Sequence, residues 1–302
     1  MLRRKIDRSQ PTLQDLGEDE VVRRLTRQLP LSARTMVGPG DDCAVLKNGV
    51  MRQLFKTDCL IEHVHFLPET PPQKIGWKAL CRCVSDIAAM GGLPTEAVVT
   101  VAAPKSTPWS RLAGVYRGLR RAGEKYGVGL VGGETSSVPE GSPLFLSVAM
   151  LGNVEPKRLL QRSGGRVGDA VLVTGVLGGS INGWHLDFQP RLPEARWLAA
   201  HFKPHAMMDL SDGVGRDLPR LAAASGCGFE LFPTLLPCRR GASMEQALAD
   251  GEDYELLFTL AESRVEKLQA AWKKQFPKLR LTMIGRLTDG LAMDLDGWEH
   301  FA

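Results

Sequence analysis

The sequence predicts an α+β protein built from two mixed α/β units, and three observations carry that reading. Up to residue 153 the apolar pattern switches between strand and helix periods in the order β-β-α-β-α-β-β. From Ala170 onward, short apolar runs alternate with amphipathic segments, which indicates α/β layering. Between the two lies the glycine-rich link Arg162-Ser163-Gly164-Gly165-Arg166-Val167-Gly168-Asp169. The boundaries that follow are a flexible arm over 1–16, an N-terminal unit over 17–153 and a C-terminal unit over 154–302.

The arm is polar and lacks apolar periodicity. Glu18 to Gln28 reads as a short helix ended by Pro30. Strands at Cys43–Leu46 and Arg52–Asp58 form a hairpin turning at Lys47-Asn48-Gly49. Pro72 to Met90 is a helix with apolar residues at Ile75, Ala79, Leu80, Val84, Ile87 and Ala88, which leaves one stripe to bury. Gly91-Gly92 stops it. Asp86 thus falls near a helix C-terminus, where the macrodipole disfavours a carboxylate, and a positive group is expected opposite it.

A strand follows at Glu96–Ala103. Next comes a helix with Thr107 as N-cap and Pro108 at its first position, running to Tyr126. Val128–Val131 and Pro143–Gly152 complete the first unit. In the second, strands at Ala170–Thr174, Gly228–Phe232, Tyr254–Leu260 and Arg280–Arg286 alternate with helices over Val214–Ala224, Gly241–Ala249 and Glu262–Phe276.

Composition sets bounds. With 302 residues, 43% apolar and 24% charged, the chain can bury a sizeable core. Six cysteines without a zinc spacing point to a reduced, cytoplasmic protein. No run approaches the roughly 18 apolar residues of a membrane helix, and no apolar h-region follows the basic start. A net charge of +4 is small, and Arg3-Arg4-Lys5 reads as a solvated arm, so no nucleic-acid partner is expected.

Seven acidic residues stand at turns or element ends: Asp41, Asp42, Asp58, Asp86, Glu134, Asp209 and Asp212. Any one of them alone is best read as a cap or an Asx turn. So many in a net-basic chain fit a different role, because carboxylates share a small volume only when cations neutralise them. Hard oxygen donors of this type suit Mg²⁺ together with substrate phosphates. Their spread through both halves predicts a site between the two units. Gly132-Gly133, Gly164-Gly165 and Gly178-Gly179 allow close backbone approach to phosphates, with Arg162 just ahead of one pair. A P-loop and a dinucleotide fingerprint are both absent. His63 and His65 share a face if the strand continues through them, and contact with an anionic substrate suits them better than zinc. Trp298 reads either as core packing or as an aromatic lid.

The blocks Gly40-Asp41-Asp42-Cys43-Ala44, Thr57-Asp58-Cys59-Leu60-Ile61-Glu62-His63-Val64-His65-Phe66, Ser85-Asp86-Ile87-Ala88-Ala89-Met90-Gly91, Gly132-Gly133-Glu134-Thr135, Met208-Asp209-Leu210-Ser211-Asp212-Gly213 and Gly251-Glu252-Asp253-Tyr254-Glu255-Leu256 occur in that order. As a set they resemble the thiamine-monophosphate kinases. The resemblance implies a phosphotransferase that uses ATP and several Mg²⁺ ions to convert thiamine monophosphate to thiamine diphosphate. It also implies a homodimer formed through the N-terminal sheets. Carried over by position, the metal ligands are Asp42, Thr57, Asp58, Asp86, Glu134, Asp209 and Asp212, of which Asp42, Asp86, Asp209 and Asp212 form the catalytic set. ATP falls to Gly133, Glu134, Arg162 and Ser211, and thiamine monophosphate to His65, Glu252 and Trp298.

Several positions depart from the pattern. Glu134 replaces a usual Asp, Lys56 a small hydroxyl residue, His63 a Gly and Cys83 an Asn, and Asp250 replaces a small residue. They keep open two other readings: a different ATP-using synthetase of the same superfamily, or a catalytically weak nucleotide-binding homologue.

Overall fold

The computed structural model describes residues 11–291 and 295. Trp298, expected either as core packing or as an aromatic lid, lies outside the described residues. Two sheets organise the rest. The first carries six strands in the order β1-β2-β3-β6-β4-β5, with β1 Thr35–Val37, β2 Ala44–Asn48, β3 Met51–Ile61, β4 Leu93–Pro104, β5 Gly129–Val138 and β6 Phe145–Val154. Its one parallel pair, β4 with β5, is joined by a helix, as a parallel crossover requires. The predicted hairpin is present, with Asn48 opposite Met51.

Helices α3 (Pro72–Ala89) and α4 (Trp109–Tyr126) lie together on one face of this sheet. Their backbones approach so closely that a Cβ on Gly76 would sit 1.9 Å from the Val115 carbonyl oxygen, and one on Gly118 2.0 Å from that of Gln73. From Ile75 on, α3 is buried nearly all round, not along a single stripe. The reason is its position: it packs on the first sheet, on α4, and also on α5 (Trp184–Asp187), α6 (Leu192–His201) and β8 (Ala206–Asp209) of the second unit.

The second sheet has the order β8-β10-β7-β11-β9, with β7 Asp169–Thr174, β9 Gly228–Leu231, β10 Leu256–Ala261 and β11 Leu281–Thr288. Each of its pairings is antiparallel. Both faces are covered: Ala170, Leu172 and Phe258 join the core shared with α3 and α9 (Val265–Gln275), whereas Val171, Val173 and Leu257 pack with α7 (Val214–Ala224). Burial on two faces explains why β7 reads as an unbroken apolar run.

Several element bounds shift, β5 running on through Gly132-Gly133-Glu134 to Val138 rather than ending at Val131. Three further local expectations change. The helix assigned to start after Thr107 starts at Trp109, with Pro108 at the cap and no side-chain cap bond. The helix placed over 241–249 is α8, Met244–Ala249, because Ser243 and Gln246 form a reciprocal capping box there. Within the expected arm, Leu13–Leu16 forms one helical turn, α1, closed by a capping box between Thr12 and Asp15. It leads through Gly17 into α2, Glu18–Thr26.

Candidate active site

The turn before β2, the last turn of α3 and the end of β8 meet where the two units join. They bring together Asp42, Asp86 and Asp209, all buried, each offering a carboxylate oxygen within 4.8 Å of the others. Among the described residues this is the group of acidic side chains arranged to hold a metal ion. Asp42 Oδ1 accepts from Arg162 Nε at 2.9 Å and Nη2 at 2.5 Å, while Asp42 Oδ2 is buried without a partner. Ser85 Oγ donates to Asp209 Oδ2 at 2.5 Å. The positive group expected opposite Asp86 is Lys56, whose Nζ lies 2.9 Å from Asp86 Oδ1.

Electrostatics follow from the crowding. Burial pushes Asp86 well above the usual carboxylate range, and the charges of Asp58, Asp209 and Asp42 add to it against Lys56. Asp209 is pushed up to about 7 by burial and then by Asp42. Asp58 behaves oppositely: burial works against its charge, but Lys56 and Arg82 outweigh that and hold it low. Three gathered carboxylates, two of them resisting ionisation, with one oxygen lacking any donor, fit a hard divalent cation.

A cavity of about 330 Å³ is walled by both halves of the chain; none of the three carboxylates lines it, but Arg82, one turn before Asp86, and Ser211 and Asp212, just after Asp209, do. Val64, His65 and Arg82 form one side, and Ser211, Asp212, Glu252 and Tyr254 another. Glu252 is fixed from behind by Lys78, whose fully buried Nζ donates to Glu252 Oε2 at 2.6 Å and to the His65 carbonyl at 2.7 Å. His185 Nδ1 lies 3.0 Å from the same carboxylate oxygen. Glu252 and Tyr254 both hold φ near +52°, a region costly for side-chain-bearing residues and found where surrounding structure enforces it at functional sites.

The predicted residues divide accordingly. Asp42, Asp86 and Asp209 converge, with Arg162 on Asp42. His65, Ser211, Asp212 and Glu252 line the cavity. Asp212 is paired with Arg220 rather than joined to the carboxylate group, and its backbone N–H and that of Ser211 both donate to buried Asp217 at 3.0 Å. Thr57 is not brought in. Strand alternation puts Lys56 and Asp58 toward α3 and turns Thr57 to the opposite face, where its hydroxyl lies 3.3 Å from that of Ser147.

Gly133 and Glu134 are not brought in either. Asp58 is opposite Val148, Val148 opposite Val99 and Val99 opposite Gly133, so Gly133 lies three strands, about 14 Å, from Asp58. Glu134 is exposed and accepts from Ser136. The amides of Gly178 and Gly179 are unavailable to a phosphate, being taken up by Asp253 and Asp250. The amide of Gly165 donates to Ser225. His63 and His65 do not share a strand face, because β3 ends at Ile61 and the chain turns, with His63 at φ 70°.

Sequence reasoning assigned no role to Lys78, Arg82, Ser85, His185 or Asp217. A signal for two of them was present: Lys78, Arg82 and Asp86 are spaced four apart, so they share one face of a helix that is otherwise apolar. No local pattern marks His185, which arrives from the second unit.

Residues 40–154 match the family described as AIR synthase related protein, N-terminal domain. The chain is 39% identical to a thiamine-monophosphate kinase of Rhodopirellula baltica over 80% of each chain. It is 34% identical to the one of Aquifex aeolicus, covering 87% of this chain and 92% of that one. Among solved structures it superposes on AaThiL complexed with AMPPCP and TMP with a TM-score of 0.83 at 31% identity, covering 96% of this chain and 99% of that one.

Proposed function

The chain belongs to the thiamine-monophosphate kinase family, and on that premise we propose how its residues transfer the γ-phosphoryl group of ATP to thiamine monophosphate, giving thiamine diphosphate. The observation that carries the assignment of residues is the convergence of Asp42, Asp86 and Asp209, with chain neighbours of Asp86 and Asp209 lining a cavity walled by both halves.

The acceptor is a phosphate oxygen whose second pKa is about 6, so it is largely ionised at neutral pH and needs no general base. The obstacle is repulsion between two polyanions. Asp42, Asp86 and Asp209 would hold Mg²⁺, and Asp212, three residues beyond Asp209, is engaged by Arg220. When bound, Mg²⁺ offsets phosphate charge and favours in-line alignment of the reacting groups. Arg162 fixes Asp42, and Ser85 fixes Asp209, so both carboxylates are oriented in advance. The thiamine moiety occupies the cavity against His65 and Tyr254. There Glu252 Oε1, with the Tyr254 hydroxyl 3.5 Å away, accepts from the substrate's amino group.

The functional unit we propose is a homodimer. On the first sheet, the face turned away from α3 and α4 leaves Phe55 and Val98 exposed, an apolar surface suited to a second copy. Thr57 and Glu134 lie on this face, so any contacts they make to ATP or metal would form where two sheets meet. A cytoplasmic location agrees with six free cysteines, and none of the described helices is long and apolar enough to cross a membrane.

The test is a coupled assay of ADP release with thiamine monophosphate under Mg²⁺ titration. Turnover that requires the metal supports the assignment. ATP binding by folded protein without turnover at saturating Mg²⁺ favours a nucleotide-binding homologue instead.

A further inference from the structure

Asp58 stands apart from the three gathered carboxylates, although it neighbours Asp86. Its surroundings are already cationic. Lys56 Nζ lies 3.8 Å from Asp58 Oδ2 and 2.9 Å from Asp86 Oδ1, so one ammonium bridges the two carboxylates. Arg82 Nη2 lies 3.7 Å from Asp58 Oδ1, and its Nη1 is anchored on the Cys59 carbonyl at 2.9 Å. Lys56 reaches Asp58 as its i, i+2 neighbour on the same strand face, and Arg82 reaches it from one turn before Asp86 on α3.

We infer that Lys56, assisted by Arg82, permanently fills the cation position between Asp58 and Asp86, so that this chain binds one divalent ion fewer than its carboxylates could hold. The inference rests on the reading above that Asp42, Asp86 and Asp209 hold divalent ions. A Mg²⁺ or Mn²⁺ ion bridging Asp58 and Asp86 needs an oxygen of each within about 2.1 Å. That volume is the one the ammonium occupies. Charge points the same way: Asp42, Asp58, Asp86 and Asp209 supply four negative groups, and Arg162, Lys56 and Arg82 already supply three positive ones. Without Lys56 and Arg82 the excess is three negative charges, and with them it is one. Lys56 pairs with Asp58 and Asp86 and not with Asp42 or Asp209, so the position it fills lies on the Asp58 side of Asp86.

The experiment counts Mn²⁺ bound per protomer at equilibrium, from the electron paramagnetic resonance signal of free Mn²⁺, with the full chain saturated by AMPPCP. Lys56→Ser is expected to bind one more Mn²⁺ per protomer than the unchanged protein, and Lys56→Arg the same number as the unchanged protein. Equal counts for Lys56→Ser and the unchanged protein, both folded by near-ultraviolet circular dichroism, overturn the inference. Should Lys56→Ser fail to fold, Asp58→Asn decides: an unchanged count supports the inference, and loss of one ion overturns it. If no form binds Mn²⁺ beyond that carried by the nucleotide, the metal reading itself fails and this inference falls with it.

Discussion

Asp86 is held in a position it would not choose alone: at a helix C-terminus, buried, and beside three other carboxylates. Its function and its stability cost therefore have one origin. On the proposed metal role, Asp86→Asn is expected to lower turnover about a thousandfold, because one carboxylate of the group with Asp42 and Asp209 is lost. The same change relieves repulsion with Asp42 and Asp209, so the thermal midpoint should stay within about 2 °C or rise. Steady-state kinetics and a thermal melt of the same preparation check both halves; a large fall in Tm would mark Asp86 as structural. Glu252 is the opposite case. Burial opposes its charge, but His185, Lys78 and Arg82 outweigh that and hold its pKa at about 2. Its folded value lies below its unfolded one, so its contribution is full above about pH 4.5 and is lost as pH falls toward 2. Glu252→Gln leaves Lys78 buried without its counter-charge and should cost about 3 kcal/mol at pH 7. Urea unfolding of both forms should show that difference shrinking by pH 3.

At the scale of elements, α3 does two jobs. Its contact with α4 depends on two glycines that let backbones touch, and its exposed-to-site face carries Lys78, Arg82 and Asp86 in register. A Cβ at position 118 meets backbone on α3 at 2.0 Å, which no rotamer change can relieve. Gly118→Ala is therefore expected to destabilise by about 3 kcal/mol, above the gain that alanine ordinarily brings to a helix. Chemical denaturation measures it. Because α3 also sets the charged face, the surviving folded fraction should show weakened Mg²⁺ dependence. The strand partner matters equally. In β3 a period of two gives Lys56 and Asp58 to the site and sends Thr57 away from it.

For the whole molecule, the two sheets meet across α3, and the cavity exists only because both contribute walls. The open face of the first sheet, where Phe55 and Val98 are exposed, is the surface the proposed dimer would use. Val98→Arg puts a charge on that face without touching the carboxylate group and should shift the protein from dimer to monomer in analytical ultracentrifugation. A dimer that persists at micromolar concentration would place the interface elsewhere.

Local pattern alone determined the order of most elements, the glycine stop after α3, the need for a positive group near Asp86 and the family, because each rests on residues close in sequence or on blocks of fixed composition. β8 and β1 were not assigned as strands: at four and three residues they are too short to show a period, and partners on neighbouring strands define them. Tertiary structure decided which acidic residues meet. Asp42, Asp86 and Asp209 sit on a turn, a helix end and a strand end, and only the packing of one sheet against the other brings them within 4.8 Å. It also decided that Gly178 and Gly179 serve Asp253 and Asp250, and that Lys56 lies against Asp86. Periodicity fixes which way a side chain points; what it meets there depends on chain segments a hundred residues away.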